Sequence, residues 1–167
     1  MLQNILVQEL LRRAHLFFAA AIGFTLIRVL KIELNIDAII IALLTMIGGI
    51  IPDIDILFEH RKLLHNVFAI SLFALMAYMV TSFLVHDVGL LTVSPLYSSL
   101  AMMLGMLSHI FLDMLTVRGV AVLYPLTTSR VRILRLRARD PYANRIIEIL
   151  SATIIAYMIL STKYIYP

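Results

Sequence analysis

Residues 96–117 read LYSSLAMMLGMLSHIFLDMLTV, a run of 22 residues in which His109 and Asp113 are the only imidazole or charged side chains. About 20 mostly apolar residues are enough for a helix to cross the hydrocarbon core of a bilayer. An ionised carboxylate inside such a helix is expensive unless it is paired or neutralised. The segment therefore predicts a membrane-spanning helix that carries a functional pair of polar side chains.

Four further apolar segments accompany this one, at about residues 16–30, 36–51, 66–85 and 146–161. The chain is 62% hydrophobic and 14% charged, with a mean hydropathy of +0.98, whereas soluble domains are about half apolar and a quarter charged. We predict an all-α helix bundle of five spans that forms one integral membrane domain over residues 1–167. The shorter segments can span if their ends are buried in protein or if the bilayer thins locally.

The connections between these segments are short except for one basic loop, predicted at residues 118–145. Gly48-Gly49 ends the second segment, and Asp140-Pro141 predicts an N-cap followed by a first-turn proline before the fifth. Arginines nearly alternate with aliphatic residues over 130–137, which favours a small two-stranded hairpin on the cytoplasmic membrane face. Because the alternation slips at Ile133-Leu134, a bulge or a short interfacial helix is the alternative.

Lysine and arginine are divided unevenly between the two sides of the predicted bundle. Eleven fall on the side of the N-terminus and three on the other. Since positive residues are retained in the cytoplasm, we predict a multi-pass protein of the cell membrane with a cytoplasmic N-terminus. Glu9, Arg12 and Arg13 interrupt the N-terminal apolar residues, so we expect no cleavable signal.

The arginines of the basic loop fit an orientation signal that is also attracted to anionic head groups. The other interpretation, nucleic-acid binding, lacks the interleaved aromatic residues that stack on bases. We therefore expect membrane lipids as partners and no nucleic acid.

Seven histidine and aspartate residues are predicted to meet on the cytoplasmic side, although only lysine and arginine determined the topology. His109 and Asp113 lie four residues apart on a helix and share a face. The seven residues are His15, Asp53, Asp55, His60, His65, His109 and Asp113.

Local spacing predicts how two pairs of these residues are arranged. Asp53 and Asp55 follow Pro52 and lie two residues apart, so both carboxylates point the same way in an extended segment. His60 and His65 are five residues apart, about 140° around a helix. We therefore expect His60 before the third helix and His65 in its first turn.

The chain contains no cysteine, which excludes disulfides, thiolate nucleophiles and cysteine zinc sites. A catalytic zinc takes about three protein ligands and keeps one position open for water. Seven candidates exceed that number, so we predict one or two divalent ions, with Zn favoured and Mn or Fe as alternatives. The alternative without metal is an ion pair of Asp113 with Arg61 or Arg118, beside hydrogen-bonded histidines.

Three motifs, GIIPDID at 49–55, HRKLLHN at 60–66 and LSHIFLD at 107–113, are followed by Gly119 and Pro125. Together they resemble the membrane-bound metal-dependent hydrolase family, which includes LexA-regulated inner-membrane hydrolases. The resemblance covers about residues 14–125 and implies the same seven ligand candidates. Asn66 stands where that family usually has Ser, and Leu64 where it often has Thr; these departures affect a supporting hydrogen bond and spare the ligands.

The favoured function is metal-dependent hydrolysis at the cytoplasmic interface. Asp55 and His65 are the predicted acid/base residues, and Arg61, or alternatively Arg118, is predicted to neutralise charge on a phosphoryl oxygen. Because the site lies at head-group depth, a phospholipid or lipid-linked phosphate ester is the predicted substrate. One rival is a metal transporter or sensor, which needs polar residues near the midplane. Another is a membrane protein with a structural, fully coordinated metal.

Overall fold

The structure, a computed structural model, describes residues 2–57 and 63–162, and the side chains of residues 12–54 and 63–161. These residues form five α-helices and one 3₁₀ helix, which confirms the all-α prediction. In chain order they are α1 Leu2–Val29, α2 Ile36–Gly48, the 3₁₀ helix Ile51–Leu57, α3 Val67–His86, α4 Pro95–Met114 and α5 Pro141–Thr162.

Short polar residues determine where several helices begin. Asn35 caps α2 by accepting a hydrogen bond from the Asp37 N–H at 2.9 Å. Asp140 accepts from the Tyr142 N–H at 2.9 Å, so the predicted N-cap is confirmed. Consequently α5 begins at Pro141, and the basic loop ends at Asp140 rather than at residue 145.

Helix α4 lies at the centre of the bundle and packs against α1, α2 and α3, while α5 packs on α1. Two glycines make the α2–α4 crossing very close. A Cβ on Gly105 would lie 2.1 Å from the Thr45 carbonyl oxygen, and one on Gly48 would lie 2.6 Å from the Met102 carbonyl oxygen. Small residues at such a crossing let two backbones approach each other, as is common between helices in membranes.

Large apolar side chains cover the outside of the bundle, especially on α3 and α5. Among the described residues, α3, α4 and α5 are long and apolar enough to cross a membrane. Helix α2 has 13 residues, a length of roughly 20 Å at 1.5 Å per residue, which is shorter than the hydrocarbon core. Whether α2 spans, and with it the five-span count, stays a prediction.

The basic loop, residues 115–140 in the structure, does not form the predicted hairpin: the described residues contain no strands. Val120 and Val131 form one antiparallel bridge, and Thr116 and Leu136 form one parallel bridge. Residues 130–137 are all exposed, so the alternation has no buried face that would extend a ladder. Gly119 makes the sharp turn here: its φ is +60°, and a Cβ would lie 2.6 Å from the Val131 carbonyl oxygen.

Candidate metal centre

Five of the seven predicted ligands come together at one end of the bundle. His15 lies on α1, Asp53 in the 3₁₀ helix, His65 just before α3, and His109 and Asp113 near the end of α4. Four of them are buried, and Asp53 keeps 20% of its side chain exposed. Three predicted site residues lie outside the described side chains: Asp55, His60 and Arg61.

The ligand atoms face one another at similar distances. Asp113 Oδ1 lies 3.7 Å from His15 Nε2, and Asp113 Oδ2 lies 3.4 Å from His65 Nε2 and 3.8 Å from His109 Nε2. Asp53 Oδ1 lies 3.6 Å from His109 Nε2. These distances exceed the range of about 2.7–3.2 Å for N–H···O hydrogen bonds. They approach the spacing of about 3.3 Å between two ligands that each lie roughly 2.0 Å from a tetrahedral zinc ion.

A backbone carbonyl fixes the orientation of His109. The His109 Nδ1 atom lies 2.8 Å from the Gly49 carbonyl oxygen. Since a carbonyl can only accept, Nδ1 carries the hydrogen, and Nε2 of the neutral ring presents its lone pair. That Nε2 is buried and makes no hydrogen bond among the described residues. A metal-binding histidine is commonly held in this way through its second nitrogen.

The close α2–α4 crossing explains why Gly49 can reach His109. Gly48 and Gly105 bring the end of α2 against the turn of α4 that precedes His109. Gly49 itself packs tightly on α1, because a Cβ there would lie 2.5 Å from the Ala19 Cβ. Sequence reasoning missed this carbonyl, and the signal that could have found it is Gly48-Gly49 paired with Gly105.

Two local predictions around the site are wrong. Asp53 and Asp55 lie in a 3₁₀ helix, so the extended segment predicted for them does not form. His65 precedes α3 instead of occupying its first turn, because the helix begins at Val67. The prediction that His109 and Asp113 share a helix face is confirmed by their 3.8 Å separation.

Asn66 has a structural role that explains its presence after His65. Its side-chain oxygen accepts from the Ala69 N–H at 2.9 Å, and its Nδ2 donates to the Leu63 carbonyl at 2.7 Å. Asn66 is thus the N-cap of α3. Asn and Ser cap helices about equally well, so replacing the Ser of the resembled family keeps the cap and the position of His65.

The ligand atoms form two overlapping triads, one of His15, His109 and Asp113 and one of Asp53, His65 and His109; within each, all atoms lie within 4.8 Å of one another. His109 has one nitrogen available, so it can bind one ion only. Asp113 differs, because its two oxygens face different histidines. The arrangement suits a carboxylate that bridges two positions.

A small crevice of about 30 Å³, with room for about one water molecule, lies beside His15 between α1, the end of α4, the basic loop and the first turn of α5. Its lining is mostly apolar but includes one ligand candidate, His15, and one guanidinium, Arg137. The sequence did not identify Arg137 as a site residue. The exposed Arg118, an alternative charge partner, lies on the adjacent part of the loop.

Comparison with known proteins identifies relatives of this chain. The uncharacterized protein YvsG of Bacillus subtilis (strain 168) is 30% identical over 115 residues, which cover 58% of this chain. The match spans 64% of the length of that relative. No solved structure matches the chain. Residues 11–166 match the YdjM inner membrane protein family, and since this is nearly the whole chain, the protein belongs to that family of membrane proteins.

Proposed function

We propose that this membrane protein is a metal-dependent hydrolase whose site is built around His109 and Asp113. The observation that carries the proposal is the state of His109: its Nδ1 donates to Gly49 at 2.8 Å, and its Nε2 faces two carboxylates at 3.6 and 3.8 Å. A lone pair directed at carboxylate oxygens is repulsive unless a cation lies between them. A divalent ion satisfies both groups.

The five described ligands are enough for one ion and contribute to a second. Asp53, His65 and His109 make a set of three ligands, the number that a catalytic zinc takes, and the set also suits Mn or Fe. His15 and Oδ1 of Asp113 offer two ligands for the other position. A second ion would therefore need further ligands, and the predicted candidates are Asp55 and His60.

A bound divalent ion would supply Lewis acidity, polarising an ester oxygen and lowering the pKa of water. The protein must then admit water and substrate. Asp53 is the one described ligand with an appreciable exposed fraction, which favours an open site over a fully closed one. If His65 is a ligand, it cannot also act as a base, so Asp55 is the better candidate for proton transfer.

The proposed substrate is a phospholipid or a lipid-linked phosphate ester. The crevice supports this choice because it combines an apolar lining with Arg137 and ends at His15. The lipid tail would stay in the bilayer outside this small crevice, and a guanidinium can hold a phosphate oxygen. Arg61 keeps its predicted role in neutralising phosphoryl charge. The site would open at the cytoplasmic interface under the predicted topology.

The test uses the full chain purified in nanodiscs, with metal content measured by mass spectrometry. We expect one or two equivalents of a transition metal in the wild type, and phosphate release from lipid phosphate esters that a chelator abolishes and added zinc restores. His109→Ala should lose metal and activity together. His86→Ala, a matched change at an exposed histidine, should retain both.

The outcomes separate the rival functions. If the protein bound stoichiometric metal but hydrolysed no phosphate ester, carboxylic ester or amide, the hydrolase proposal would be overturned. The metal would then have a structural role. Metal uptake into proteoliposomes would instead indicate a transporter. A wild-type chain that binds no Zn, Mn or Fe even after reconstitution would overturn the metal site itself.

A further inference from the structure

The basic loop presents an unusual surface at the metal-centre end of the bundle. Between residues 115 and 140 the chain has six arginines and a single acidic residue, Asp140, which caps α5. All the arginines are exposed. They are Arg118, Arg130, Arg132, Arg135, Arg137 and Arg139. This surface therefore carries a strong positive charge, of which Asp140 offsets a single unit.

Aliphatic side chains are exposed between these arginines. Leu126 is 76% exposed, Ile133 53% and Leu134 49%. An aqueous surface rarely presents so many large apolar side chains in one short segment. Arginine next to exposed aliphatic residues is typical of segments that lie at a membrane surface, where the apolar groups enter the interface.

Backbone hydrogen bonds hold the loop against the helix ends. The Ile133 N–H donates to the Met114 carbonyl at 2.8 Å, and the Leu136 N–H donates to the Leu115 carbonyl at 3.0 Å. On the other side, the Val67 N–H donates to the Val122 carbonyl at 3.0 Å. The loop is thus fastened to the end of α4 and the start of α3, at the level where these helices would leave the membrane.

We propose that the basic loop lies flat on the membrane and binds anionic phospholipid head groups. The arginines would pair with lipid phosphates, for which a planar guanidinium is well suited, and Leu126, Ile133 and Leu134 would enter the interface. Nucleic acid fits less well, because Tyr124 is the only aromatic residue between 115 and 140 and stacking platforms need several. The proposal does not depend on hydrolysis.

The chain has no tryptophan, so one introduced tryptophan reports on its own surroundings. Leu134→Trp should emit at short wavelength in vesicles of phosphatidylcholine and phosphatidylglycerol, and lipids brominated near the head group should quench it. Met114→Trp, at a partly buried position, is the matched control. Its emission should be quenched less, because quenching requires that the indole ring be exposed to the lipid. Leu134→Trp emission at the wavelength of free tryptophan, unquenched by the brominated lipids, would overturn the proposal.

A second measurement tests the charges with variants that spare the loop's hydrogen bonds. Arg130 and Arg132 donate to backbone carbonyls, so the test uses Arg135→Gln/Arg139→Gln. Each arginine near an anionic surface is worth roughly fivefold in affinity, so binding of phosphatidylglycerol should weaken by up to about 25-fold. The control variant Arg28→Gln/Lys31→Gln removes two positive charges at the opposite end of the bundle. It should change the affinity for phosphatidylglycerol less than about twofold.

If the two double variants lost equal affinity for phosphatidylglycerol, the lipid-binding surface could not be assigned to the basic loop. A single-stranded oligonucleotide that binds the loop more tightly than phosphatidylglycerol at physiological salt would replace the lipid with nucleic acid. Neither result bears on metal content, so the hydrolase proposal can stand or fall separately.

Discussion

The two ends of the bundle contain the same kinds of polar residue in opposite states. At the end away from the metal centre, Asp37 Oδ2 accepts a hydrogen bond from Thr92 at 2.7 Å, and His86 is exposed. At the metal-centre end, Asp113 and His109 are buried and 3.8 Å apart. Asp37 has a hydroxyl partner and His86 is exposed, whereas the second set brings imidazole nitrogens and carboxylates together away from solvent, as a cation site requires. Burial and spacing therefore identify the site better than residue type does.

The largest difference is expected when the carboxylate is removed at each end. Asp113→Asn should weaken metal binding by more than about 100-fold, because even partners of ligands cost 10–100-fold. Asp37→Asn should leave metal affinity unchanged. Titration of the apo protein with zinc, followed by calorimetry, measures both. Unchanged affinity in Asp113→Asn would remove Asp113 from the ligand set.

A smaller effect is expected from glycines at the two ends. Gly105→Ala places a methyl group against the Thr45 carbonyl, so it should destabilise the fold by about 3 kcal/mol through overpacking. It should also weaken metal binding, since Gly49 would move away from His109. Gly89→Ala has open space and only a φ of +66° to tolerate, which costs about 1 kcal/mol.

Thermal unfolding in detergent compares the two glycine variants. If Gly105→Ala were no less stable than Gly89→Ala and kept full metal affinity, the close α2–α4 crossing would not position the site.

The smallest effect is expected from the two asparagine caps. Asn66→Ala and Asn35→Ala each remove an N-cap and should lower the free energy of unfolding by about 1 kcal/mol. Only Asn66→Ala should also reduce zinc affinity, because Asn66 follows His65 directly. Asn66→Ser should restore both quantities. Zinc titration together with chemical unfolding distinguishes a local effect at Asn66 from a general loss of stability.

Much of the fold and the gathering of the site could be predicted from the sequence. The apolar segments gave the five α-helices, and alternating sides for successive segments brought His15, Asp53 and His109 to one end. That prediction works for Asp53 and His109 because helix direction reverses at each connection, so the end of α2 and the end of α4 meet. His15 joins them from the middle of α1, which begins at Leu2 rather than near residue 16.

The finer geometry could not be predicted, for physical reasons. The 3₁₀ helix around Asp53 is short, and its alternating residues look the same as an extended segment. The contact between Gly49 and His109 depends on how closely α2 and α4 cross. The packing of small residues determines that distance, and a hydropathy pattern does not reveal it. The arginines of 130–137 alternate like a strand, yet they have no second face to bury.

The hydrogen bond from the Val67 N–H to the Val122 carbonyl has a consequence for biosynthesis. His65 is translated before α4, but the backbone that follows it is fastened only when the segment after α4 has emerged from the ribosome. His109 and Asp113 also appear late in the chain. The five described histidines and aspartates are therefore all in place only after the segment that follows α4 has been synthesised.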